Sequence, residues 1–121
     1  MSDLVRVAVD AMGGDYAPVE PVKGAVEAVN ADERVKVQLV GQVDVIEKEL
    51  QKYTYPKERV EIVPATEIIE TGEPPVNAIR HKKDSSIVVG MKKVRYGEAD
   101  AFVSSGSTGA VLVGGQTIVG R

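Results

Sequence analysis

The chain has 121 residues, no cysteine and one histidine, and its formal net charge is −3 at pH 7. That length fits one small domain, and the acidic balance argues against a general nucleic-acid binder, which would be basic. The missing thiols exclude disulfides, thiolate catalysis and cysteine-ligated metals, and one imidazole excludes a histidine-rich metal site.

Hydrophobic residues make up 43% of the chain and charged residues 27%, the balance of an ordinary soluble domain. No apolar run is long enough to cross a bilayer. A strand pattern begins directly after Met1-Ser2-Asp3, which leaves no room for a signal peptide. A cytoplasmic protein is the expectation.

Leu4 to Val9 reads as a buried strand of mostly β-branched residues, ending at Asp10. Ala11 to Pro18 follows as a loop whose Gly13-Gly14 pair permits sharp turning and close ligand approach. Asp10 and Asp15 flank it. Each is either a turn residue bonding local N–H groups or a site carboxylate at the end of a strand.

Val19 to Asn30 is a helix by pattern, because Val19, Val22, Val26 and Val29 share one face. Val35 to Val40 alternates apolar and polar, as a strand does, and Gly41 ends it. Val43, Ile46, Leu50 and Tyr53 mark a second amphipathic helix, stopped by Pro56. Arg59 to Val63 is a third strand.

Ala65 to Ala78 shows no clear period and carries Glu67, Glu70 and Glu73 with prolines at 74 and 75. Long loops in compact domains are more often functional or mobile than idle. A short strand or turn fits around Glu67 to Ile69, and a short helix can begin near Val76. Arg80-His81-Lys82-Lys83 is the one dense positive cluster. It is either a solvated patch or a lure for phosphate or an acidic partner. His81 is a surface residue or a weak acid–base candidate. Asp84-Ser85-Ser86 starts a helix with Ile87, Met91 and Val94 as its buried face, and Gly97 stops it.

Ala99 to Val103 is a fourth strand, followed by Ser104-Ser105-Gly106-Ser107-Thr108-Gly109-Ala110. Ala110 to Gly120 is apolar and helical, although its glycines and β-branched residues make it a poor helix by propensity. A strand, a Gly/Ser/Thr turn and a helix point free N–H groups at an anion. Ser104, Ser105, Ser107 and Thr108 add hydroxyl donors, and Gly106 and Gly109 permit close approach. The alternative is that Ser107 or Thr108 only caps the helix. Neither the Walker nor the dinucleotide pattern is present.

Alternating strands and helices imply a parallel sheet flanked by helices on both faces. In a doubly wound order the first and fourth strands are neighbours, and ligands bind where the order reverses. The loops at 10–15 and 104–109 then meet across an electropositive hollow sized for an oxyanion.

Three stretches together resemble one family. They are Val9-Asp10-Ala11-Met12-Gly13-Gly14-Asp15-Tyr16-Ala17-Pro18, Lys82-Lys83-Asp84-Ser85-Ser86 and Ser104-Ser105-Gly106-Ser107-Thr108-Gly109-Ala110. They resemble the bacterial phosphate acyltransferase (PlsX) family of fatty-acid and phospholipid synthesis, with fitting spacing along the whole chain. The resemblance implies transfer of a fatty acyl group from acyl carrier protein to inorganic phosphate, giving an acyl phosphate. It implies a Rossmann-like fold related to phosphate acetyltransferases and isocitrate-type dehydrogenases. It also implies a cytoplasmic homodimer that associates peripherally with membrane.

Ser105 and Ser107 stand where that family usually has alanine and asparagine. Family members are far longer, so residues 1–121 are expected to be a single α/β domain, the N-terminal part of an enzyme and inactive alone. Ser105, Gly106, Ser107, Thr108 and Gly109 are expected to cradle phosphate, with Ser104 beside them. Gly13 and Gly14 line the facing wall, and Asp10 organises that loop. Arg80, Lys82 and Lys83 attract phosphate or the acidic carrier protein. No general base is identified, and the chemistry calls for no cofactor or metal. The rivals are a non-catalytic phosphate- or nucleotide-binding module and a phosphate acetyltransferase-like enzyme. Against a dehydrogenase, no G-x-G-x-x-G follows the first strand.

Overall fold

The computed structural model describes residues 4–120. Four strands, β1 (Val5–Asp10), β2 (Val35–Gly41), β3 (Val60–Pro64) and β4 (Ala101–Val103), form one parallel sheet. Their spatial order is β3-β2-β1-β4. Val7 pairs with Ala101 and Val9 with Val103, so the first and fourth strands are neighbours, as the doubly wound order requires.

The helices are α1 (Val19–Ala31), α2 (Val43–Leu50), α3 (Pro75–His81), α4 (Ser86–Arg95) and α5 (Thr108–Gly114). Side chains alternate across a strand, so Val37 and Leu39 of β2 leave by one face and Val40 by the other. Val22, Val26 and Val29 of α1, with Ile46 and Leu50 of α2, cover the first face. Val89 and Val94 of α4 pack with Ala8, Val40, Val63 and Phe102 on the second. Fully burying a side chain such as Leu39 or Ile46 contributes about 1.5–3 kcal/mol, so these two layers dominate the fold. The fold is therefore α/β, with helices on both faces of a parallel sheet.

Several boundaries differ from the sequence reading for local reasons. The fourth strand begins at Ala101 rather than Ala99. Arg6 N–H donates to the Asp100 carboxylate at 2.8 Å, so a side chain replaces the backbone acceptor there. The second helix stops at Leu50, but Tyr53 still packs against the first-face core from outside it. The last apolar segment is α-helical only to Gly114 and continues as a π-helical turn over Gly115–Val119. That fits its low propensity.

The odd stretch at 65–74 is tied down by the residues that follow α3. Asp84 accepts hydrogen bonds from the Thr66 hydroxyl at 2.6 Å and the Thr66 N–H at 3.0 Å. Glu67 bridges to Ser85. The Lys82 ammonium lies 2.6 Å from Glu73 and donates to the Ile68 carbonyl at 2.7 Å. At the other end of the sheet, the Arg59 guanidinium donates to the carbonyls of Val29, Asp32 and Val35. At Val29 it thereby satisfies an acceptor that the end of α1 leaves free, and through Val35 it ties that end to the start of β2.

Candidate functional site

The site is built around Asp10, the last residue of β1, which is only 2% exposed. Its carboxylate accepts from the Ser86 hydroxyl at 2.6 Å, the Ser104 hydroxyl at 2.8 Å and the Met12 N–H at 3.0 Å. A buried carboxylate needs such donors to offset its lost hydration. Three pieces of backbone are thereby tied together: the loop after β1, the start of α4 and the loop after β4.

The loops at 10–15 and 104–109 do meet. A side-chain carbon on Gly13 would lie 2.9 Å from the Gly106 nitrogen, and one on Gly106 would lie 3.2 Å from the Gly13 Cα. A side chain at Gly13 would collide with its surroundings, and one at Gly106 would fit only tightly. Gly14 beside them has φ 97°, which other residues rarely adopt.

The loop after β4 commits part of its polarity internally. Ser104 Oγ accepts from the Gly106 N–H at 3.0 Å, and Ser107 Oγ caps α5 by accepting from the Ala110 N–H at 3.2 Å. Ser107 therefore does act as a cap. The N–H groups of Thr108 and Gly109 lie in the first turn, which the helix itself cannot satisfy. The hydroxyl-bearing residues Ser105 and Thr108 are exposed. Gly109 also has a packing role, since a side chain there would overlap Pro75 of α3.

A cavity of about 510 Å³ opens beside the two loops, between α1 and the sheet. Asp10, Gly13, Gly14, Ser104 and Ser105 line its polar end. Gly106, Ser107, Thr108 and Gly109 stand outside it. The cavity walls correct the expectation of an electropositive hollow: Asp15 and Glu20 line it, and no lysine or arginine among the described residues does. Any positive potential must come from backbone N–H groups. Where Gly13 and Gly106 touch, no hollow exists.

Arg80, Lys82 and Lys83 lie around the end of α3, and none of them lines the cavity. Arg80, Lys83 and His81 are exposed. Lys82 is held by Glu73, and its hydrogen bond keeps the Glu73 carboxyl below its ordinary pKa. Ser86 escaped the sequence reading as a partner of Asp10. The available signal was a second serine after the capping Ser85, with no local use for its hydroxyl. The small residues Gly24 and Ala28 on the cavity side of α1 were also missed, although they recur four apart opposite the valine stripe.

Comparison with known proteins adds the decisive observation. The family model for the fatty acid synthesis protein family matches residues 5–121. The chain belongs to that family. The phosphate acyltransferase of Halothermothrix orenii is 47% identical over 97% of this chain and 35% of its own length. The phosphate acyltransferase of Alkaliphilus oremlandii is 50% identical over 97% of this chain and 35% of its own. That of Clostridioides difficile is 47% identical over 97% and 34%. Within the fatty acid synthesis protein family, the chain thus spans about a third of the length of these curated relatives. No helix among the described residues is long and apolar enough to cross a membrane.

Proposed function

We propose that this chain is the N-terminal part of a phosphate acyltransferase, with residues 1–121 forming one α/β domain of Rossmann-like, isocitrate-type build. The enzyme transfers a fatty acyl group from acyl carrier protein to inorganic phosphate, in phospholipid synthesis. The observation that carries this reading is the contact of two glycine loops at the point where the strand order reverses, in a family whose relatives bear that activity's name.

A phosphate oxygen attacks the thioester carbonyl carbon and forms the new C–O bond. The C–S bond then breaks, and the thiolate leaves with the carrier and takes up a proton. The phosphate oxygens accept hydrogen bonds from the N–H groups of Thr108 and Gly109 and from the hydroxyls of Ser105 and Thr108. Helix N-terminal donors suit an anion. Asp10, Ser104 and Ser107 hold the loops rather than the ligand. Gly13 and Gly14 form the neighbouring wall, so the thioester approaches from the cavity. Positioning and preorganised donors supply most of the rate in such a reaction. Arg80 and Lys83 remain free to meet the acidic carrier protein. The whole enzyme is a cytoplasmic homodimer that associates peripherally with the membrane.

The test is consumption of long-chain acyl-(acyl carrier protein) by the full-length protein, with and without phosphate. Phosphate-dependent release of carrier thiol with formation of acyl phosphate is expected. Turnover that ignores phosphate, or none at all, rejects the transferase and leaves a binding module.

A further inference from the structure

We infer that Ser86 is a positioning residue for phosphate: its hydroxyl holds the Asp10 carboxylate, and Asp10 in turn fixes the loop that carries the anion donors. This rests on the acyltransferase reading and adds a residue to that site. Of the stretch from Lys82 to Ser86, the last serine rather than the lysines then acts on the anion loop.

The hydrogen bonds run as a relay. Ser86 Oγ donates to Asp10 Oδ1 at 2.6 Å. The other oxygen, Oδ2, accepts from the Ser104 hydroxyl at 2.8 Å. A hydroxyl has one proton. Ser104 spends it on Asp10 and turns a lone pair to the Gly106 N–H at 3.0 Å. Asp10 Oδ2 also lies under the contact of the two loops. A side-chain carbon on Gly106 would lie 3.3 Å from it, and one on Gly13 would overlap it. The orientation of this one carboxylate therefore sets where Ser104 and Gly106 stand, and with them the start of α5.

Ser86 is placed to hold that orientation. Its neighbour Ser85 caps α4, accepting from the Val88 N–H at 3.2 Å, so the Ser86 hydroxyl has no capping duty. The Ser86 N–H donates to the Glu67 carbonyl at 3.2 Å, and Ile87 and Val88 beside it are buried. A fixed backbone thus delivers the hydroxyl. Ser86 and Asp10 are each only 2% exposed, which leaves little access for a competing water. The last torsion of an aspartate is broad, so its partners decide it. Without Ser86, Oδ1 keeps only the Met12 N–H.

The test is steady-state transfer from acyl-(acyl carrier protein) to phosphate by the full-length protein, with folding checked by thermal melting. Folded Ser86→Ala should lose roughly tenfold in kcat/KM for phosphate, with the KM for the acyl carrier unchanged, since a misplaced group costs rate. Ser86→Cys keeps the volume with a weaker donor and should fall between, and it carries the test if the alanine variant does not fold. Ile46→Val loosens the opposite core layer and should leave the KM for phosphate unchanged. Adding Ser86→Ala to Ser104→Ala should cost little more than Ser104→Ala alone, because the two act through one carboxylate. Unaltered phosphate constants in folded Ser86→Ala and Ser86→Cys overturn the inference, as do losses that multiply in the double variant. So does a matching rise in the phosphate KM of Ile46→Val, which would mark a general loss of stability. If the unaltered protein shows no phosphate-dependent transfer, the acyltransferase reading falls and takes this role with it.

Discussion

Asp10 and Ser104 stand 94 positions apart and share a hydrogen bond of 2.8 Å. This contact closes the reversal point of the sheet, because Asp10 ends β1 and Ser104 follows β4. Ser86 adds the start of α4 to the same carboxylate. Asp10→Ala would leave two hydroxyls and the Met12 N–H without their acceptor. An unsatisfied buried polar group costs about 1–3 kcal/mol, so a loss of roughly 3 kcal/mol is expected. Asp10→Asn keeps one acceptor and should lose less. Urea unfolding midpoints of the two variants decide this, and equal midpoints would contradict it.

Gly13→Ala and Gly24→Ala should act in opposite directions. At Gly13 a methyl group would overlap the Asp10 carboxylate and lie 2.9 Å from the Gly106 nitrogen. Overpacking of this kind costs about 1–3 kcal/mol. At Gly24, inside α1, nothing lies within 4 Å, and alanine is the better helix former by about 1 kcal/mol. Thermal melting should therefore show one variant lowered and the other raised.

Acid should loosen the fold through its paired carboxylates. Arg34, chiefly through its side-chain hydrogen bonds, pushes the Asp32 carboxyl down to about 2. The Thr66 hydroxyl lowers Asp84, and the Arg6 side chain lowers Asp100. A carboxyl with a depressed folded pKa contributes stability above its unfolded pKa and loses it as pH falls through the folded value. For Asp32 that window runs from 3.8 to about 2. Unfolding midpoints should fall across it, and midpoints that stay level would contradict the assignment. Thr66→Val should move the Asp84 titration upward, read by its carboxyl chemical shift.

Lys82→Met should release the stretch at 66–74. Lys82 is bonded to Glu73 and to the Ile68 carbonyl, so both contacts go at once. Hydrogen exchange should quicken at residues 68–73 while β1 and β2 keep their protection. Unchanged exchange there, with weakened carrier-protein binding instead, would return Lys82 to the role of a lure.

Much of this arrangement was legible in the sequence. The valine stripe at 19–29 and the alternation at 35–40 are local patterns, and they gave α1 and β2 directly. The adjacency of β1 and β4 followed from the order of elements. What stayed hidden depends on contacts between distant residues. Gly109 reads as a cradle glycine, and nothing nearby announces that Pro75 packs against it. Lys82 reads as one of four clustered cations, yet Glu73 across the loop claims it. Glu20 on the cavity wall was missed because it lies on α1, outside the glycine stretches.

The most direct test is phosphate dependence in the full-length protein carrying Gly106→Val. Valine there would press on the Gly13 Cα, 3.2 Å from a Cβ, and part the loops. With melting showing a folded protein, kcat/KM for phosphate should fall roughly a hundredfold, the scale on which a misplaced reacting group acts. A folded variant with an unaltered kcat/KM for phosphate would contradict the assignment of the anion site to these two loops.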